Sequence, residues 1–369
     1  MNVREELSIK HARVAAYLRE HDLDAVLLSR RCNFSWYTCG AHNYVSTGCD
    51  VGNSHLLVTA DSAEVLTNNI EATRLSNEEL PATGIEVRSF AYFDAEARQK
   101  LFEAALGSLR VAADASVAGL DLPPLEADFD RLRWTLTARE IDRYRELCQD
   151  TAAAVEAVAQ SAEPGQTENE LAGLLACSLR SAGCTPWVLL VGGDERARRL
   201  RHPLATDAKV KEYFMLVAGA ERHGLVAAST RVACFRKVPG DLAEKHRAAV
   251  TVDAALTGAT RPGAPLGEIF DVACEAYREV GFGDEWRMHH QGGSIGYLPR
   301  EVKAAPGEDT AVLEDQAFAW NPSIAGTKSE VTVLCRGDQT VPLEGPTDWP
   351  SVTGQWKGFK VRRPGILAI

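Results

Sequence analysis

No stretch of the 369-residue chain approaches the roughly 18 unbroken apolar positions that a membrane-spanning helix needs, so a membrane partner is not expected. The segment from Met1 to Lys10 is polar and charged and lacks the apolar stretch of an export signal, which makes the cytoplasm the expected compartment. Positive charge is in short supply: Lys and Arg total 40 against 51 Asp and Glu, a formal net charge of -11. An acidic surface repels phosphate backbones, so nucleic acid is excluded as an expected partner, although a local basic pocket for an anion is not. The nine cysteines are scattered from Cys32 to Cys335 with no C-x-x-C pair. That excludes zinc-finger spacing and fits reduced thiols.

What is present is an ordinary globular composition, 45% hydrophobic and 25% charged, enough to bury a sizeable core. At roughly 100–200 residues per domain, the length suggests two domains. Val14 to Leu23 reads as an amphipathic helix, and Ala25 to Leu28 as a buried strand. His55–Thr59 and Glu64–Leu66 are two further strands around a turn at Ala60–Ser62. This alternation predicts an α/β first domain over residues 1–128, with Gly119–Pro124 as the hinge region because its paired prolines stop both helix and central strand. The second domain is expected over 129–369. Thr137 and Glu140 have capping-box spacing and predict a long helix through Arg145 and Val155.

An internal echo follows. Glu163-Pro164-Gly165 precedes Glu170-Leu171-Ala172, and Arg261-Pro262-Gly263 precedes Glu268-Ile269-Phe270. Each Pro-Gly turn leads into an amphipathic helix that ends near Gly183 or Gly281, which suggests a duplicated α/β half.

The duplicated unit resembles the two halves of the pita-bread fold shared by methionine aminopeptidase, prolidase, aminopeptidase P and creatinase (family M24). Asn33 to Gly40 is similar to the N-x-x-Y-x-x-G segment of the creatinase and prolidase N-terminal domain. Gly219-Ala220, Gly224 and Thr230-Arg231 resemble the skeleton of D-x-G-A…G-Y…D-x-T-R. Gly292 to Gly296 resembles G-H-G-I-G, and Asn321-Pro322 with Lys328 to Val333 resembles E-P…R-x-E-D-T. The resemblance implies an α/β (α+β) architecture, with a creatinase-like N-terminal domain and a pita-bread domain of duplicated halves.

Metallopeptidases of this family hold two metal ions with two Asp, one His and two Glu. The resemblance places Val217 and Ala228 at the two Asp positions, Gly293 at the His position and Asn321 at the first Glu position. Only Glu330 survives, so no metal and no other cofactor is expected at that centre. Adjacent side chains on an extended segment point to opposite faces, which makes His289 and His290 poor joint ligands for a single ion.

Creatinase, the metal-free C–N hydrolase of this fold, has a catalytic His in an H-N-P segment, and Arg201-His202-Pro203 occupies that place. His202 is therefore the expected proton shuttle, since imidazole titrates near working pH. Pro299-Arg300-Glu301 follows the creatinase form G-R-E. Arg300 is expected to bind a substrate carboxylate through its planar fork, and Glu301 and Glu330 to hold a cationic group or fix the arginine. Glu330 and Asn321 complete the expected catalytic set. His290, Gln291 and Trp320 are expected to line the pocket, with Gly292 and Gly293 letting backbone N–H groups approach a ligand. The resemblance also implies a homodimer in which each small domain closes the other subunit's cleft. Creatinase uses an arginine there; Val45 to Gly52 has none, and His42, Asn43 and Asp50 are the residues placed to take over.

The expected function is a metal-independent hydrolase or lyase acting on a C–N bond of a small polar amino-acid-like, guanidino or amide molecule. The alternatives are a non-catalytic pseudo-peptidase binding module and a metal-dependent Xaa-Pro peptidase.

Overall fold

A computed structural model describes residues 1–369. Its contacts divide the chain into two compact units, Met1–Arg133 with Thr137–Glu140, and Trp134–Leu136 with Ile141–Ile369. The Gly119–Pro124 segment is not a boundary: Ala113 N–H donates to the Pro123 carbonyl, which ties the segment into the first unit.

The first unit opens with α1 (Val3–Glu20), which begins earlier than its sequence periodicity suggests because Asn2 and Glu5 form a capping box. β1 (Ala25–Arg30) and α2 (Arg31–Tyr37) follow, then β2 (Val51–Thr59), β3 (Ala63–Asn68), α3 (Asn69–Arg74), β4 (Glu86–Phe90), α4 (Ala95–Leu106) and β5 (Val111–Ala113). The strands form one sheet in the order β4-β3-β2-β1-β5. Leu27, Leu57 and Leu66 pack with Phe102 into its core. A buried charge cluster sits beside it, in which the Lys10 ammonium bridges Glu6 at 2.7 Å and Glu140 at 2.8 Å.

The second unit carries the duplication. α5 (Ala138–Ser161) starts at the Thr137–Glu140 box, with Glu140 accepting the Thr137 N–H at 2.7 Å. α6 (Glu168–Ser181) leads to β6 (Thr185–Gly193), α7 (Asp194–Arg199) and the hairpin β7 (Tyr213–Arg222) and β8 (Leu225–Cys234). In the second half, α8 (Gly240–Ala259) and α9 (Leu266–Glu279) precede β9 (Gly292–Ile295), β10 (Val302–Lys303), β11 (Gln316–Trp320), β12 (Ser323–Ile324), β13 (Thr327–Lys328), β14 (Val331–Arg336) and β15 (Gln339–Pro342). A closing hairpin, β16 (Ser351–Trp356) and β17 (Phe359–Pro364), is followed by β18 (Ile366–Ala368).

The repeat extends to backbone detail. Gly165 N–H donates to the Val210 carbonyl at 2.7 Å, and Gly263 N–H donates to Val312 at 2.8 Å. Each Pro-Gly turn thus docks on the segment that leads into a later strand, β7 in the first half and β11 in the second. Leu171, Leu175 and Leu179 bury one face of α6; Ile269, Ala273 and Tyr277 bury the matching face of α9. The two halves contribute sheets in the orders β18-β8-β7-β6 and β10-β9-β11-β14-β15. No helix is long and apolar enough to cross a membrane.

Candidate active site

A cavity of about 380 Å³ opens in the second unit. On β7 and β8, Val217 and Ala228 reach it, so the wall from the first half is aliphatic. The second half supplies the polar groups: His290, Arg300, Asn321, Lys328 and Glu330, joined by His202 from the loop after α7.

Glu330 is the only carboxylate on this wall. The Thr230 hydroxyl donates to it at 2.6 Å and an Arg300 nitrogen at 3.3 Å. Burial pushes the Glu330 carboxyl up, but the Lys328 and Arg300 cations and the Thr230 hydroxyl outweigh it and hold it below the usual carboxylate range. Burial lowers Lys328, and the nearby Arg300 and Arg201 cations lower it further against the pull of Glu330. Arg300 differs from the free fork expected of it. One nitrogen bonds the Pro299 carbonyl and another Glu330, which leaves its buried Nε without an acceptor. The Asn321 side-chain oxygen is also buried without a donor.

Three imidazoles gather at the mouth. His202 Nε2 lies 2.9 Å from His289 Nε2, the His289 and His290 rings stack at 4.5 Å, and the three ligand nitrogens fall within 4.8 Å of one another. The expectation that His289 and His290 splay apart is therefore wrong. Period-two alternation holds inside a strand, and both residues precede β9; the Gly292 N–H donating to His290 Nδ1 turns that ring back onto its neighbour. Burial, with Lys328, His290 and His202 adding to it, pushes His289 down to about 2. Burial and the Arg300 cation push His290 down to about 4, and burial and Lys328 lower His202. All three are neutral at pH 7. His289 Nδ1 is buried without a partner.

Four other expectations need correction. Gln291 is spent on structure, accepting from the Tyr277 hydroxyl at 2.9 Å and donating to the His289 carbonyl. Trp320 belongs to the core, stacked on Phe318 with its indole N–H on Thr260. Glu301 caps a turn through the N–H groups of Tyr297 and Leu298. Gly292 and Gly293 serve backbone packing rather than ligand approach: a Cβ on Gly293 would lie 2.1 Å from the Val302 carbonyl oxygen, and one on Gly292 equally close to that of Ala319. In the first unit, His42 pairs with Glu79 at 3.6 Å, and Asn43 is buried, bridging the Ser29 and Ser54 carbonyls. Lys328 was not singled out from sequence.

The residues do not fit a pair of divalent ions. Val217 and Ala228 offer no donor atoms, Gly293 has no room for a side chain, Asn321 offers a neutral amide, and the one carboxylate already balances two cations. The three histidines have the spacing for one ion, but Lys328 and Arg300 oppose a cation there.

Duplicated helix–sheet halves around a central cleft define a pita-bread protein. The profile of metallopeptidase family M24 matches residues 142–343, more than half of the chain, and the protein belongs to that family. An uncharacterized peptidase of Staphylococcus aureus is 20% identical over 333 residues, 84% of this chain and 93% of the relative. Among solved structures, the prolidase from Pyrococcus horikoshii superposes with a TM-score of 0.77 at 18% identity, covering 92% of this chain and 98% of that one. The Xaa-Pro dipeptidase from Bacillus anthracis gives 0.76 at 18% over the same shares. The N-terminal domain of the FACT complex subunit SPT16 from chickpea gives 0.64 at 14%, over 92% and 96%.

Proposed function

We propose that this protein is a hydrolase or related lyase that cleaves a C–N bond in a small, polar, amino-acid-like or guanidino molecule without the family's dinuclear metal centre. The observation that carries this reading is the make-up of the cleft wall: aliphatic Val217 and Ala228, which the family resemblance sets at two carboxylate positions, line the same cavity as the polar groups of His202, Arg300, Asn321 and Glu330.

His202 is neutral at working pH and its ring is exposed, so it can take a proton from water or substrate and return it to the leaving nitrogen. The unpartnered Asn321 oxygen suits a substrate N–H, and the free Arg300 Nε suits a carboxylate. Glu330 fixes Arg300 rather than meeting substrate directly. A homodimer closing the cleft, with His42 near it, remains part of this proposal.

The test is a screen of N-acyl amino acids, dipeptides and guanidino acids in the presence of a strong chelator, with wild type and His202→Ala compared on any hit. Turnover that survives chelation and falls by about 10²-fold or more in the variant supports the reading. Equal turnover by both proteins overturns it. A second reading, a non-catalytic binding module, draws support from the fold shared with a FACT complex subunit; it predicts binding of a ligand without turnover.

A further inference from the structure

The composition of the cavity narrows the class of molecule that fits it. Arg300 and Lys328 set two cationic side chains on its wall against one carboxylate, Glu330, and the imidazoles of His202 and His290 are uncharged at neutral pH. A ligand that balances this wall carries one net negative charge. Zwitterions, such as a free dipeptide or a guanidino acid, bring a further cation to a wall already in excess of them. Arg300 Nε is a buried donor without an acceptor, and the Asn321 side-chain oxygen is a buried acceptor without a donor. A carboxylate satisfies the first and a neutral amide N–H the second. The rest of the wall is aliphatic: Val217 and Ala228 line it with Val188, Leu190 and Ile295. Gly219 sits opposite Ala228 in the β7–β8 hairpin, and a Cβ there would come within 2.9 Å of Val188, so the missing side chain lets Val188 close that wall. Such a surface favours an apolar branched group on the ligand, since covering it releases water from apolar contact. A volume of about 380 Å³ lies at the small end for ligand pockets, which suits a single acylated amino acid.

We propose that the cleft binds the monoanion of a short-chain N-acyl α-amino acid with a branched aliphatic side chain, such as N-acetylleucine. Its carboxylate lies on Arg300, its amide N–H on Asn321 and its side chain on Val217 and Ala228. These two residues, which the family resemblance sets at carboxylate positions, are here the specificity-determining contacts. The assignment rests on the hydrolytic reading for the bond that breaks, the one between the acyl carbon and the nitrogen. Water adds its oxygen to the acyl carbon and its protons go to the leaving nitrogen, so N-acetylleucine and water give acetate and leucine with no other reactant. The product nitrogen is an ammonium, and the excess of positive charge that favours the substrate therefore disfavours the product.

The test is titration calorimetry of the full wild-type chain at neutral pH against a ligand series, reading Kd, or KM where turnover appears as a sustained heat rate. N-acetylleucine is expected to bind about tenfold or more tighter than N-acetylalanine, whose shorter side chain leaves the aliphatic wall uncovered. N-acetylleucinamide, lacking the carboxylate, and free leucine, carrying an ammonium, are each expected to bind about tenfold or more weaker than N-acetylleucine. Val217→Ala should lower the affinity for N-acetylleucine about fivefold and leave that for N-acetylalanine unchanged. Equal affinity for the leucine and alanine compounds overturns the aliphatic subsite, and equal affinity for the amide or for free leucine overturns the monoanion. No binding by any member overturns the whole assignment. The expected order of affinities without a sustained heat rate supports the assignment and counts against hydrolysis, so the two readings fail separately. Because the wild-type series decides these points, the outcome does not depend on how well the variant folds.

Discussion

His289 makes the energetics of the cleft measurable through pH. Its folded-state value lies at about 2 against an ordinary 6.5, chiefly because burial disfavours the imidazolium, with the Lys328 cation second. A depressed folded value means that below about pH 6.5 the unfolded chain takes up a proton that the folded chain refuses. The stability contributed by neutral His289 is therefore complete above 6.5 and is lost progressively toward pH 2. At about 1.4 kcal/mol per pH unit, acidification from 6.5 to 5 costs about 2 kcal/mol from this residue alone. His289→Gln keeps a polar side chain of similar reach and cannot titrate, so its stability should fall by about 2 kcal/mol less than that of wild type between pH 7 and 5. Urea unfolding followed by tryptophan fluorescence is the assay, since every tryptophan except Trp36 lies in the second unit. Equal losses in the two proteins would refute both the burial argument and the neutral three-histidine network built on it.

Two further outcomes follow from the packing. Gly293→Ala puts a Cβ 2.1 Å from the Val302 carbonyl at a φ of +152°, and thermal melting should report a loss of about 3 kcal/mol or more; a variant as stable as wild type would mean the strand spacing is adjustable and a ligand side chain could return. Glu330→Gln removes the only carboxylate near buried Arg300 and Lys328, and should cost about 3–5 kcal/mol in urea titrations at neutral pH, with a negligible change counting against a paired cluster.

The fold was legible because its signals are local and repeated. Pro-Gly turns at matched offsets, the Thr137–Glu140 cap and the glycine-marked strands each specify an element on their own. The cavity is legible at Val217, Ala228 and Glu330, which the family landmarks set in the cleft and which line it. It was not legible where an irregular segment decides. His289 and His290 precede a strand, and their stacking depends on one backbone N–H. Trp320 and Gln291 were misread because a polar edge in a motif says nothing of its partner; Thr260 and Tyr277, distant in sequence, satisfy them. A lysine among family landmarks reads as surface, whereas Lys328 is buried on the cavity wall.

Under the proposed function, this cleft holds a cluster of cations and neutral imidazoles in place of a dinuclear metal centre. Elemental analysis by inductively coupled plasma mass spectrometry tests it most directly, on the full chain dialysed against Mn, Co and Zn salts and then desalted. No pair of divalent ions should be retained, because Val217, Ala228, Gly293 and Asn321 give such a pair too few ligands. Two ions held per chain, and lost in Glu330→Gln, would contradict it.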